Sequence, residues 1–336
     1  MATLTHDAAA GHRLRAGLLF AVVSASSFGL SGPLARGLMN AGWSAAAVVA
    51  ARVLLAGVVL LPLALSQLRG NWNLVRANAA LIIAYGLVAV AGTQLAYFNA
   101  VAHMEVGTAL LIEYTAPIAV VGWLWVRHRQ RPGAATVGGA ALGVVGLLLV
   151  LDVTSGLSAD PIGIAWAMGA MVGAATYFVL SAHGVDLPGT VLAAGGLLIG
   201  GVTLVLAGVV GIVPLHATTD PVVFDDFTTS WWIPILTIGI VTAAIAYATG
   251  IAATRRLGAR LASFVALTEV LAALLFAGAL LGESPRPIQL LGGALILIGV
   301  IAVRLGEPAP LPIGDPESPA AEEPPATTRP EIDHQS

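Results

Sequence analysis

The stretch YFNAVAHMEVGTALLIEYTAP, residues 97–117, decides how this chain is read. Glu113 lies inside a long apolar run that carries almost no other charge. An ionisable group at bilayer depth is expensive, so it is a functional candidate by default. A second stretch, YATGIAATRRLGARLASFVALTEV at 247–270, follows the same plan. Each has a Tyr late in one helix, a Gly opening the next, and a mid-helix Glu. Glu269 then occupies the place in the second half that Glu113 occupies in the first. Two mid-span carboxylates related by an internal repeat predict two halves with a polar site between them.

Composition agrees with a membrane setting. The chain has 336 residues, of which 57% are hydrophobic and only 10% charged, and its mean hydropathy is +0.90. Soluble domains carry about a quarter charged residues. Every basic side chain is Arg, and no basic stripe of the kind that tracks nucleic acid is present. With no cysteine, disulfides, thiolate metal sites and thiol catalysis are excluded. No GxxxxGK[ST] or HExxH occurs, so neither ATP nor a metal is expected, nor any other cofactor. No Ser–His–Asp pattern suggests an enzyme.

A helix needs about 20 apolar residues to cross a bilayer. Ten segments qualify: 16–37, 44–65, 78–100, 106–126, 134–151, 161–181, 188–213, 231–254, 258–281 and 288–305. They divide the chain into an N-terminal segment (1–15), a first five-helix repeat (16–151), a second (161–305) and a tail (306–336). The tail is rich in Pro, Ala and Glu and is expected to be disordered. The loop 214–230, with His216, Asp220, Asp225 and Asp226, is expected to be solvated. Arg clusters mark the cytoplasmic side of short loops. Arg13, Arg15, Arg69, Arg76, Arg127, Arg129, Arg131, Arg255, Arg256, Arg260 and Arg304 fall on one side, against Arg36 and Arg286 on the other. Both termini are therefore expected in the cytoplasm of a bacterial cell, with the protein in its plasma (inner) membrane. Two similar halves of five helices each must lie in opposite orientation, so the fold class is an all-α membrane protein of ten transmembrane helices in two inverted repeats.

Three features carry a family likeness: the paired motifs, LGESPRP at 281–287, and the Gly-Gly helices GGAALGVVG (138–146) and GGALILIGV (292–300). The pattern resembles the EamA-type ten-helix members of the drug/metabolite transporter superfamily. LLIEYTAPIAVV (110–121) and LTEV (267–270) look like the threonine/homoserine exporter branch. The resemblance implies export of a small metabolite, commonly an amino acid, without ATP. In that branch the second motif reads Glu-Pro. Here Val270 follows Glu269, so the helix break expected there should be absent.

Other residues join the two carboxylates as candidates for substrate binding or proton coupling. Pro117 cannot donate a backbone hydrogen bond, which leaves the carbonyl of Glu113 free. That position then offers two acceptors for an ammonium group or a proton. Desolvation penalises a charged carboxylate, so Glu269 is suited to load and release a proton. Arg52 is the one basic residue well inside a span, too deep to snorkel freely. It could face a substrate carboxylate or form a structural ion pair. Gln94, Tyr97 and Tyr247 are expected to line the cavity, because large polar groups facing lipid are costly. Gly139/Gly143 and Gly196/Gly200 fit close helix packing, and Trp123, Trp125, Trp231 and Trp232 fit interfacial belts.

The reading is a secondary transporter that exports small polar metabolites such as threonine or homoserine, coupled to protons. Its partners would be the solute, protons and the lipid bilayer. Within transport, the alternative is efflux of hydrophobic cations or drugs, for which Arg52 would be dispensable. From other classes come an intramembrane enzyme, poorly served by carboxylates at mid-bilayer, and a non-transporting scaffold in which both Glu residues tolerate Gln.

Overall fold

A computed structural model describes residues 2–103, 106–150, 160–183, 186–282 and 286–306. The expected disordered tail (beyond Gly306) and the loop at Asp152 lie outside them. The chain is helical almost throughout, as a run of apolar residues in lipid must be to satisfy its own backbone. Among the described residues, eight stretches are long and apolar enough to cross a bilayer, and two more, Ala134–Val150 and Glu269–Leu281, are apolar but shorter. Nine of the ten predicted segments each fall on one of these stretches, while 258–281 spans the end of Trp232–Ala266 and the whole of Glu269–Leu281. The division expected between 254 and 258 falls at Gly258, whose non-helical backbone (φ +81°) separates two helices within the stretch Trp232–Ala266.

In chain order the first half contains α1 (Ala2–Gly29), α2 (Ser31–Asn40), α3 (Ala45–Leu68), α4 (Trp72–Ala77), α5 (Ala79–Ala84), a π-helical stretch π1 (Tyr85–Gly92), α6 (Thr93–His103), α7 (Val106–Glu113), α8 (Ala116–His128) and α9 (Ala134–Val150). The second half contains α10 (Pro161–Ala182), α11 (Gly189–Val209), a short hairpin β1 (Val222–Val223) and β2 (Thr228–Thr229), then α12 (Trp232–Gly239), π2 (Ile240–Ile245), α13 (Ala246–Ala266), α14 (Glu269–Leu281) and α15 (Pro287–Gly306). Asp160 starts the second half by accepting a hydrogen bond from the Ile162 amide, with Pro161 at the first helical position.

The halves repeat residue for residue over much of their length. From π1 onward the counterpart of each residue stands 153 positions later. Gly92 and Ile245 end the π-helical stretches, Ala116 and Glu269 open α8 and α14, and Arg129 and Gly282 close them in the left-handed conformation.

Close contacts between the halves are reciprocal, as a two-fold axis requires. A Cβ added at Gly139 would stand 2.6 Å from the Gly299 carbonyl oxygen, and one added at Gly299 would stand 2.6 Å from that of Gly139. Gly146 and Gly292 oppose each other in the same way at 2.5 Å. Here Gly292 and Gly299 are the counterparts of Gly139 and Gly146, so α9 and α15 pack as an antiparallel pair through the two glycine positions they share. Between α3 and α11, Gly57 packs on Leu198 and Gly201 on Leu54. These too are one contact made twice, with counterparts 144 positions apart. Small residues let helix backbones approach where lipid supplies no hydrophobic drive.

The main core lies where α3, π1, α10, α11 and α13 meet, around Tyr85, Leu192, Leu197, Leu204, Tyr177, Tyr247 and Ile251. The loop 214–230 departs from the solvated loop expected. His216, Asp220, Asp225 and Asp226 are exposed as predicted, but Val222 and Phe224 are buried. They pack on Leu38 and Ile238, and Gly37 leaves room for the Phe224 ring. Trp43 Nε1 donates to the Thr218 carbonyl (2.9 Å), Thr218 Oγ1 donates to that of Ala41 (2.6 Å), and the Asp225 amide donates to that of Leu280 (3.0 Å). Trp231, expected at an interfacial belt, is instead half-buried beside Trp43. The hairpin thus clasps α2, α3 and α14 at one end of the bundle. At the other end, Thr190 Oγ1 donates to Gln67 Oε1 (2.7 Å), and Arg260 Nη2 donates to Gln130 Oε1 (3.4 Å). That is the end bearing Arg69 and Arg129.

Candidate functional site

Two helix breaks build the site, one in each half. The first separates α7 from α8 at Tyr114–Thr115, and the second separates α13 from α14 at Leu267–Thr268. The helix around Glu269, expected to be continuous because Val270 replaces proline, is interrupted there by a tight turn in its hydrogen bonding, while Leu267 and Thr268 keep right-handed helical backbone angles. Threonine supplies the reason. Thr115 Oγ1 donates to the Ile112 carbonyl at 2.6 Å, and its counterpart Thr268 Oγ1 donates to the Val265 carbonyl at 2.7 Å. A hydroxyl on the i−3 carbonyl competes with the helical amide. The amides of Thr115 and Thr268 also bond three residues back, to Ile112 and Val265, tightening the turn. Pro117 reinforces the first break, but the threonine is what the two share.

This register corrects the equivalence of the two carboxylates. Glu269 opens α14, and its counterpart is Ala116. Glu113 ends α7, three residues earlier, and its counterpart is Ala266. The two Glu residues therefore approach the interface from opposite sides of their breaks. Likewise Tyr97 and Tyr247 are not a pair; the counterpart of Tyr247 is Gln94.

The two breaks meet. Tyr114 Oη donates to Glu269 Oε1 at 3.2 Å, joining the first half to the second. Glu113 and Glu269 lie within electrostatic reach of each other, and Tyr97 within reach of Glu113. Arg52, on α3, is within reach of both Glu269 and Tyr247. Its guanidinium carbon stands 5.5 Å from the centre of the Phe28 ring, a cation–π contact. Glu113, Glu269 and Arg52 are each only partly buried, whereas Tyr247 is buried. Of the residues singled out in the sequence, Glu113, Glu269, Arg52, Tyr97 and Tyr247 thus come together. Gln94 is half-buried on α6, and no hydrogen bond joins it to the others.

Tyr247, expected to line the cavity, belongs to an aromatic wall whose members Phe28 and Tyr85 sequence reasoning missed. Phe28 meets Tyr247 edge-on with centroids 5.2 Å apart, Tyr247 meets Tyr177 at 5.7 Å, and Tyr177 meets Tyr85 at 5.8 Å. Offset and edge-on rings are the favourable arrangements. The ladder runs from Arg52 towards the arginine-bearing end. Gly250 admits it, since a Cβ there would collide with Tyr177 Oη. Gly29, where α1 ends, lets α1 press on the first turn of α14; a Cβ there would stand 2.8 Å from the Glu269 carbonyl oxygen. Ser24 Oγ donates to the Ala246 carbonyl at 2.8 Å, so it joins α1 to α13 rather than lining the site. Among the described residues no cluster of His, Asp or Glu could hold a metal ion.

A model of the EamA-like transporter family matches residues 15–152 and again 161–305. The chain belongs to the EamA-like transporter family. Its two matched blocks are the two halves related by the reciprocal glycine contacts, and as an EamA-like protein it is a multi-pass membrane protein of a transporter family. A solved crystal structure of a protein aligns with this EamA-like chain with a TM-score of 0.72 at 20% identity, covering 86% of this chain and 96% of its own. That likeness shows the fold alone. No curated protein sequence matches the chain.

Proposed function

We propose that this EamA-like protein is a secondary transporter that exports small zwitterionic metabolites, amino acids such as threonine and homoserine, in exchange for protons. The observation that carries the reading is the gathering of Glu113, Glu269 and Arg52 at helix breaks between the halves. A zwitterion needs partners of both signs, and Arg52 can hold its carboxylate while one Glu holds its ammonium. The other Glu is then free to carry a proton. Half-helix ends and freed backbone groups at a repeat interface are a recurrent way to bind polar solutes at mid-membrane. The halves rock about this site to expose it to either side. The protein works in a bacterial plasma membrane with both termini in the cytoplasm, the side that the Arg-rich loops select.

A second reading, efflux of hydrophobic cations, is favoured by the wall of Phe28, Tyr247 and Tyr177 beside two carboxylates. Aromatic faces and carboxylates both attract cations.

Efflux of labelled threonine, homoserine and a panel of other amino acids from proteoliposomes under a pH gradient tests the proposal. Wild type should release solute in step with the gradient, and Glu113→Gln or Glu269→Gln should abolish that dependence. Equal leak from all three proteins for every compound would overturn it. Arg52→Gln separates the two readings: it should stop amino-acid efflux and spare efflux of a cationic dye.

A further inference from the structure

At the foot of the aromatic ladder, three polar side chains from three helices meet with unused hydrogen-bonding groups. Tyr85 (π1) and Ser181 (α10) are completely buried. Their hydroxyls lie within reach of each other, the Arg255 (α13) guanidinium is within electrostatic reach of Tyr85, and it bonds the Ser181 backbone. Neither Tyr85 Oη nor Ser181 Oγ has a hydrogen-bond partner, and Arg255 Nη2 has none either. The rest of Arg255 is held in place: Nε donates to the Ser181 carbonyl at 3.4 Å and Nη1 to that of Leu187. Among the described residues no carboxylate lies within ion-pairing distance of Arg255. Even a Ser181 hydroxyl turned towards Tyr85 would leave one O–H and the Nη2 protons without an acceptor.

Buried polar groups in native proteins are almost always paired, and each exception asks for an explanation. The fold does not require polarity here. The counterpart of Tyr85 in the second half is Ile238, which is buried in an apolar cluster. Each unused group can donate, and one of them belongs to a cation that cannot accept. Such a set matches an anionic acceptor, for which Arg offers a planar fork.

We propose that Tyr85, Ser181 and Arg255 form a second binding station, for a carboxylate or comparable small oxyanion, at the arginine-bearing end of the transport path. The station is shut in this conformation and is reached when α10, α11 and α13 part at that end. The tyrosine ladder links it to Arg52, so a solute carboxylate passes from one guanidinium to the other. That the anion is the solute's own carboxylate rests on the transport reading above; the affinity for an anion does not.

The absence of native cysteine gives a direct test. Ser181→Cys places a single thiol in the full-length chain in proteoliposomes. It is treated with an anionic and a cationic methanethiosulfonate reagent, each rate normalised to that with a free thiol. The anionic reagent should react at least tenfold faster, and adding Arg255→Gln should erase the preference. Excess acetate should slow the anionic reagent if any small anion is taken. Slowing by threonine but not by 1-aminopropan-2-ol, which lacks the carboxylate, would identify the solute. Tyr85→Phe, tested in the same background, should reduce the preference without unfolding the protein. Equal normalised rates, or no labelling by either reagent, would overturn the station even if threonine is transported. A strong anion preference with no amino-acid transport would sink the transport reading and leave the station standing.

Discussion

Tyr114 Oη donates a hydrogen bond to Glu269 Oε1 across 3.2 Å, and this bond ties the helix break of the first half to that of the second. It fixes one carboxylate oxygen and leaves the other for a ligand. Tyr114→Phe keeps the ring and removes the bond. A hydrogen bond of this kind contributes about 1–2 kcal/mol. Threonine counterflow in proteoliposomes is therefore expected to slow roughly tenfold, while the midpoint of thermal unfolding in detergent moves little. An unchanged counterflow rate would mean the bond is incidental.

Thr268, not a proline, breaks the second helix. Thr268→Val is nearly isosteric and removes the hydroxyl that occupies the Val265 carbonyl. Helix α13 should then run straight into α14. Because the hydroxyl competes with the helical ladder, stability should stay within about 1 kcal/mol of wild type, and solute exchange should fall. Thr115→Val should be milder, since Pro117 holds the first break by itself. Spin-label distances across residues 264 and 272 would read the straightening directly.

The glycine contacts between α9 and α15 make a symmetric prediction. A Cβ added at either Gly146 or Gly292 would stand 2.5 Å from the carbonyl oxygen of the other. Gly146→Ala and Gly292→Ala should each force the helices apart and destabilise by about 1–3 kcal/mol, the usual range for overpacking. The two losses should be similar, and the double variant should lose less than their combined effect because the contact is shared. Gly138→Ala, where a Cβ meets nothing within 4 Å, is the control and should be neutral or slightly stabilising. Thermal unfolding of the four variants checks all of this.

Phe224 anchors the hairpin clasp. It is 4% exposed and sits over Gly37. Phe224→Ala should release the clasp at a cost of about 3 kcal/mol, at the low end of buried aromatic truncations. Protease sensitivity within 214–230 should rise at temperatures where the helices stay intact.

Much of the architecture was legible because the bilayer simplifies it. Long apolar runs must be helices, and the likeness of 97–117 to 247–270 exposes the two halves. The finer register was not legible. The eye pairs Tyr97 with Tyr247 and Glu113 with Glu269 because chemistry stands out, whereas the fold pairs Gln94 with Tyr247 and Ala116 with Glu269. The second break was missed because proline is the conspicuous signal and a threonine hydroxyl is not; the shared Thr115 and Thr268 were the available clue. Tyr114 and Phe28 were not singled out, since which face a helical aromatic presents depends on breaks that hydropathy cannot see. The burial of Val222 and Phe224 was hidden behind the acidic residues around them.

The reciprocal contacts have one last consequence. A rotation that exchanges the halves also exchanges the two sides of the membrane. Any shape that one half adopts here is therefore available to the other, and swapping shapes turns an opening on one side into an opening on the other at nearly equal free energy. The hairpin is outside this symmetry, because the corresponding connection between α3 and α5 carries only the short helix α4. It adds contacts at one end of the bundle that the two-fold repeat does not copy at the other, so under the proposed transport cycle loosening it is expected to shift the balance between the two facing states.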